Sequence, residues 1–251
     1  MHFDCVSKIA KAADCMAEWW TDLIYPKVCP VCMQIAAADD NNGICGNCKS
    51  KLKYISNPRC LKCGKQISSD EIQYCYDCAK SGHIYRQGVG VFGYTKEISE
   101  SIYAFKYHNQ RCFAPVYADE IVAHCRNIIK SWDAQALIPV PLHADRMKKR
   151  GYNQAALIAG ELGKKLCIAV EEELLIRNRN TKPQKELDDK ERVKNVENAF
   201  IIERNVVKYK KVILVDDIYT TGTTVDACAK ALMQKGVREV YFVTLCIGRG
   251  F

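Results

Sequence analysis

Four Cys-x-x-Cys pairs confined to residues 29–78 constrain this chain more than any other feature. They are Cys29-Pro-Val-Cys32, Cys45-Gly-Asn-Cys48, Cys60-Leu-Lys-Cys63 and Cys75-Tyr-Asp-Cys78. Two intervening residues let both sulfurs of a tight turn reach one ion, and zinc takes four thiolates tetrahedrally, so four pairs close two sites. The gaps of 12 residues between the first two pairs and 11 between the last two suit zinc ribbons. Sequential pairing puts Cys29, Cys32, Cys45 and Cys48 on one ion and Cys60, Cys63, Cys75 and Cys78 on the other; a crossed arrangement satisfies the same spacing. All-cysteine sites leave no open coordination position, which makes both ions structural. Residues 27–80 hold few large apolar side chains, so metal must supply stability that a small core cannot. The segment is expected to fold on its two zinc ions independently of the rest of the chain.

Fifteen cysteines, an odd number, argue for metal-bound thiols over a disulfide framework when no export signal is read. Asp4, Lys8, Lys11, Asp14 and Glu18 interrupt the N-terminal apolar stretch. No uncharged run exceeds eleven residues, whereas a bilayer span needs ~20 apolar residues. Membrane insertion and export are disfavoured, and a cytoplasmic protein is expected. Residues 5–24 space Ile9, Ala13, Met16, Trp20 and Leu23 as an amphipathic helix. Cys125, Cys167, Cys228 and Cys246 lie in apolar stretches and read as inert core thiols. The formal charge of +8 falls to about +4 once eight thiolates and two Zn²⁺ are counted, which is only mildly basic.

After His83 the sequence becomes ordinary globular chain. Strands are expected at 88–94, 136–140, 199–202, 211–215 and 238–246, and helices at 96–107, 114–130, 152–166 and 224–235. Such alternation builds a parallel α/β sheet. Its most informative stretch is Lys211-Val-Ile-Leu-Val-Asp216-Asp217-Ile-Tyr-Thr220-Thr221-Gly222-Thr223-Thr224. A buried strand delivers two carboxylates at its C-terminal end, where α/β sheets hold ligands. A hydroxyl-rich loop with one glycine then opens a helix, so backbone N–H groups and threonine hydroxyls can surround a phosphate. A phosphate cradle beside carboxylates suits a ribose 5-phosphate. Helix capping by Thr223 or Thr224 accounts for one hydroxyl but not for two acids followed by four threonines.

This stretch resembles the phosphoribosyltransferases that use phosphoribosyl pyrophosphate (PRPP). Ile138-Pro139-Val140-Pro141-Leu142-His143, then Arg146 and Arg150-Gly151-Tyr152-Asn153-Gln154, resembles the ComF family of bacterial competence proteins, as does the double ribbon ahead of it. The chain departs from that family at Lys106-Tyr-His-Asn109, where Lys-aromatic-x-Gly is usual. The resemblance implies a type I phosphoribosyltransferase fold with a parallel sheet, preceded by a small double zinc ribbon. The implied organisation is an N-terminal helix at 1–26, the ribbon at 27–82 and the transferase-like domain at 83–251.

It further implies that Thr220, Thr221, Gly222, Thr223 and Thr224 hold the 5-phosphate, with Asp216 and Asp217 as the catalytic carboxylates on the ribose hydroxyls. Val140, Pro141, Arg146 and Arg150 would serve the diphosphate, with Mg²⁺ bridging it to the ribose. Residues 177–197, with Arg177, Arg179, Lys182 and Arg192, resemble the mobile active-site loop of glutamine PRPP amidotransferases. Acceptor specificity would come from a hood at 84–112. The partner is then PRPP or another phosphoribosyl ligand. Competence also implies a non-catalytic alternative: a factor that binds single-stranded DNA and works with the competence machinery. Tyr54, Arg59, Tyr74, Tyr76, Lys80, Tyr85 and Arg86 interleave rings and cations as a strand-binding surface does, and Lys49, Lys51, Lys53, Lys62 and Lys65 add ribbon charge.

Overall fold

The computed structural model describes residues 28–35, 43–177, 199–202 and 208–248. The expected helix at 5–24 and the loop residues Arg179, Lys182 and Arg192 lie outside them. Two short helices belong to the ribbon, α1 (Gly46–Lys49) and α2 (Tyr76–Lys80). The α/β part then runs β1 (Gln87–Gly93), α3 (Lys96–Tyr107), α4 (Phe113–Ser131), β2 (Ala136–Pro139), α5 (Ala144–Arg150), α6 (Gln154–Leu166) and β3 (Ala169–Val170). It continues with β4 (Ile176–Arg177), β5 (Phe200–Ile201), β6 (Lys211–Tyr219), α7 (Thr223–Gln234) and β7 (Glu239–Ile247).

Five strands form one parallel sheet in the order β1-β7-β6-β2-β3, and β4 pairs with β5 as a small antiparallel ribbon. A strand buried on both faces needs an unbroken apolar run, and Val212-Ile-Leu-Val215 supplies it. The two-residue period divides that run. Ile213 and Val215 join Val89, Leu137 and Val243 under α3, α4 and α6, while Val212 and Leu214 join Ile138, Val240 and Phe242 under α7.

β6 runs on to Tyr219 rather than stopping at 215, because β7 stays paired beside it as far as Tyr219↔Ile247. The basic stretch after Pro141 is the helix α5. The side chain of its N-cap, His143, accepts from the Asp145 N–H at 3.2 Å, and Gly151 ends it at φ +76°. The expected hood at 84–112 is corrected in part: its first third is β1, an integral strand of the sheet, and α3 is what reaches over the site.

The ribbon is not the independent body that its composition suggests. It covers the outer edge of β1, with the Ile55 N–H donating to Val91 O, the Gly93 N–H to Lys53 O and the Gly88 N–H to Lys62 O, each at 2.8 Å. An open strand edge is thereby closed. Cys29 and Cys48 pack into the core on one face of the sheet, and Cys60, Cys63, Cys75 and Cys78 into the core on the other. The approach is close at Gly64, which has φ +75° and where an added Cβ would lie 2.6 Å from Gly88 O.

The cysteines pair sequentially. Within each of the sets Cys29/Cys32/Cys45/Cys48 and Cys60/Cys63/Cys75/Cys78 all four sulfurs lie within 4.8 Å of one another. Cys32 and Cys45 Sγ are 3.8 Å apart, and Cys63 and Cys75 Sγ 3.7 Å. Four sulfurs at ~2.3 Å from a central zinc stand ~3.8 Å apart, far beyond a disulfide bond. These are two four-cysteine sites of the size that structural zinc requires. Of the other thiols, Cys125, Cys228 and Cys246 are buried as expected, but Cys167 is exposed at the end of α6. No helix among the described residues is long and apolar enough to cross a membrane.

Candidate functional site

The strand β6 carries Asp216 and Asp217 side by side at the C-terminal end of the sheet, beside β2 through Val140 N–H to Val215 O at 2.9 Å. Asp217 is buried, and Lys106 reaches it from the last turn of α3, Nζ to Oδ1 2.7 Å. Asp216 Oδ1 accepts from the Asp217 N–H at 2.8 Å. Sequence reasoning treats Lys106 only as part of a turn. A signal is present all the same: it follows Ile102 by four residues, so a cation falls at the edge of the buried stripe of α3. The turn beyond it keeps the shape that glycine usually provides, because Asn109 adopts φ +54°, a conformation asparagine tolerates better than most residues.

The two acids differ. Burial, then the charge of Asp217, pushes the Asp216 carboxyl up to about 7, against the pull of Lys106. Between an unfolded value of about 4 and this folded value, the native state holds a proton that the unfolded chain has released. The stability associated with that proton is complete below pH ~4 and lost as pH rises through about 7. Asp216→Asn is therefore expected to unfold at higher temperature than the wild type at pH 8, and at the same temperature at pH 4. Water at the partly accessible carboxyl reduces the gain to on the order of 1–2 kcal/mol. An equal or lower melting point at pH 8 would contradict the buried-acid account.

The loop Thr220–Thr224 leads into α7, whose N-cap is Gly222 at φ +83° with no side chain capping the helix. The capping explanation for Thr223 and Thr224 is thereby removed, since Thr223 is already the first helical residue; its hydroxyl lies 3.0 Å from that of Thr221. A twelve-residue helix thus presents its positive end beside two carboxylates. Gly222 has a positive φ, and an added Cβ would lie 2.7 Å from His83 Cε1 and 2.8 Å from the Tyr219 hydroxyl. The glycine is required by its protein neighbours.

Basic groups line the side facing α3 and α5. Arg150 donates to Tyr107 Oη at 3.0 Å and to Gln154 Oε1 at 2.9 Å, with its guanidinium 4.9 Å from the Tyr107 ring centre. Burial would raise the Tyr107 hydroxyl, but Arg150, Lys106 and Arg146 together draw it below its ordinary value. Arg177 packs 5.3 Å over Phe200. Burial, then the nearby Arg146 charge, lower the pKa of its guanidinium, and the Asp216 carboxylate opposes them. Arg177 thus lies within electrostatic reach of both Arg146 and Asp216. Val140 is buried at the end of β2, and its carbonyl accepts from Asn153 Nδ2 at 3.0 Å. Arg146, Arg150, Arg177, Val140 and Pro141 stand on the elements that flank the acidic pair. Sequence reasoning misses His83 and Asp226, for which no local pattern exists, and places Tyr85 on a strand-binding surface although it is fully buried.

Comparison with known proteins matches two domain families to this chain. The double zinc ribbon domain family matches residues 20–79, and the phosphoribosyl transferase domain family matches residues 148–250. Competence protein F of Haemophilus influenzae is 33% identical over 204 residues, covering 79% of this chain and 88% of that protein. Competence protein ComFC of Bacillus subtilis is 29% identical, with 77% and 79% covered. DNA utilization protein YhgH of Escherichia coli K12 is 28% identical over 227 residues, with 89% and 98% covered.

Proposed function

This chain belongs to the ComF family of competence proteins, and on that premise we propose that it binds PRPP with Mg²⁺ and acts in DNA uptake during natural transformation. The observation that carries the reading is the Asp216–Asp217 pair at the end of β6, one loop ahead of a helix that begins on a glycine with no side-chain cap. Thr220–Thr224 with the start of α7 holds the 5-phosphate. Asp216 and Asp217 accept from the ribose hydroxyls, and their charge stabilises the cation-like ribose that develops as diphosphate departs. Arg146 and Arg150, beside the Val140–Pro141 turn, hold the diphosphate oxygens. Oxygen donors suit Mg²⁺, which would neutralise diphosphate charge. Arg177, held in β4 over Phe200, adds positive charge on the side of the bound anion; Arg179, Lys182 and Arg192 are assigned to the anion by the family resemblance alone. Whatever acceptor a transferase reaction uses enters beside α3. The cytoplasm is the proposed compartment, on the argument that eight thiols are kept for metal rather than oxidised.

Calorimetric titration of the zinc-loaded protein tests this. PRPP is expected to bind with Mg²⁺ and at least tenfold more weakly without it, and ribose 5-phosphate is expected to compete. No heat from either ligand with folded protein would overturn the proposal.

The single-stranded DNA reading keeps support from one surface. Tyr74 and Tyr76 are 45% and 68% exposed, and Lys80 Nζ lies 4.1 Å from the Tyr76 ring centre. Tyr85 is fully buried, and the Tyr54 ring already packs 4.9 Å from Phe92 and 4.6 Å from His124, so neither offers a free face to a base. Lys51 and Lys53 are exposed and Lys49 partly so, but they follow the first four-cysteine site, whereas Tyr74, Tyr76 and Lys80 belong to the second. Affinity for a strand is expected to fall with salt at a log–log slope of ~0.7 per phosphate neutralised. Lys49→Ala, Lys51→Ala and Lys53→Ala together should flatten that slope, and Tyr76→Ala should weaken binding at every salt concentration. A slope indifferent to the lysines would take the ribbon out of the account.

A further inference from the structure

We infer that the segment His83–Tyr85, which leaves the second four-cysteine site, is a positioning element of the phosphate loop: it fixes the glycine turn and holds the charge of Asp226 away from the bound anion. The inference rests on the phosphoribosyl reading, and adds the groups that make the cradle fit to receive a phosphate.

Asp226 lies in the first turn of α7. A carboxylate there competes with an incoming phosphate for the same N–H groups and the same positive helix end. Both of its oxygens are engaged from outside the helix. Oδ2 is 2.6 Å from His83 Nδ1, and Oδ1 accepts from the Ile84 N–H at 3.0 Å. His83 is almost wholly enclosed, with 4% of its side chain exposed, and its ring stacks on Tyr85 at 4.9 Å. Tyr85 is fully buried, and its hydroxyl lies 2.7 Å from that of Tyr219, the last residue of β6 before the loop. Gly222 rests against both partners, His83 and Tyr219, closely enough to leave no room for a Cβ. Tyr85 and Tyr219 share a core with Cys60, Cys63, Cys75 and Cys78. The cradle is therefore braced from the ribbon side, by groups that need not touch the ligand.

Two consequences separate this role from a structural one. Removing His83 loosens the loop and frees the Asp226 charge, and the second effect is cancelled by also removing the charge. Wild type, His83→Ala, Asp226→Asn and the double variant are compared by ribose 5-phosphate and PRPP calorimetry, zinc content, melting temperature, and amide hydrogen exchange over residues 219–226. His83→Ala is expected to keep two zinc ions, to bind ribose 5-phosphate at least tenfold more weakly and to exchange at least tenfold faster over 219–226. The double variant should recover most of the affinity while its exchange stays fast. His83→Ala binding and exchanging like the wild type, or a double variant no better than His83→Ala, overturns the inference. Where wild type binds neither ligand but exchange responds to His83→Ala, the phosphoribosyl reading is what fails, while unchanged exchange sinks the positioning role whatever the ligand. If His83→Ala does not fold, Tyr85→Phe deletes one hydroxyl and keeps the ring. It is expected to speed exchange at 219–221 and weaken ribose 5-phosphate about threefold, and no change in either refutes the bracing.

Discussion

Cys63→Ser is expected to remove one of two zinc ions and to lower the melting temperature of the whole chain by at least ~15 °C, or to prevent soluble expression. A structural zinc site contributes apparent binding energies of about 10 kcal/mol or more, comparable with the entire stability of a domain, about 5–15 kcal/mol. Cys63 is fully buried, with the other three sulfurs of its site within 4.8 Å. It packs in the core that also contains Val212 and Leu214 of β6 and Leu232 of α7. The loss therefore propagates into the sheet. A ribbon folding on its own would instead show an unchanged α/β transition, and chelation would give two separate steps. Cys32→Ser, at an exposed ligand of the first site, should lose one zinc with a smaller drop. Calorimetric melting with zinc quantified in parallel checks both. A Cys63→Ser protein that keeps two zinc ions, or melts as the wild type does, contradicts the shared core.

The second large effect concerns Asp216→Asn combined with Asp217→Asn. Side-chain size is kept and two negative charges vanish, so PRPP affinity should fall by about tenfold, and any transferase rate by on the order of a further 100-fold, because the carboxylates matter most as positive charge develops. The gain in stability above pH 7 belongs to Asp216→Asn alone, where desolvation and the charge of Asp217 disfavour the carboxylate; in the double variant it is opposed by the loss of the enclosed Lys106–Asp217 pair. For Asp216→Asn, lower ligand affinity with higher stability is the signature of a group retained for function. Unchanged PRPP affinity in the folded double variant would refute the site assignment. Gly222→Val is a poor substitute: at φ +83° and with His83 and Tyr219 against it, it is expected to fail in folding before it reports on a phosphate.

How much of the fold and site is legible in the sequence depends on the distance over which each pattern acts. The Cys-x-x-Cys turns, the apolar run ending in Asp216-Asp217 and the Thr220–Thr224 loop are each contained within a few residues, where spacing alone dictates which atoms can meet. The two-residue and 3.6-residue periods likewise place α3, α4, α6, α7 and the main strands close to where they lie. The strand β6 is longer than its apolar run suggests, because its last residues are strand by virtue of pairing with β7. Asn109 shows the limit of motif matching, since a residue other than glycine reaches the same positive φ.

The tertiary structure decided the rest. Composition sets the ribbon apart as a domain, yet its two four-cysteine sites sit in the cores on opposite faces of one sheet, because the edge of β1 had to be covered and 53–55 covers it. Lys106 meets Asp217 across 111 residues of chain, and His83 meets Asp226 across 143. No period or spacing encodes such pairs. They arise from which strands lie adjacent and which helix ends converge at the C-terminal edge of the sheet, and chain order alone leaves that arrangement open until the hydrophobic faces have packed.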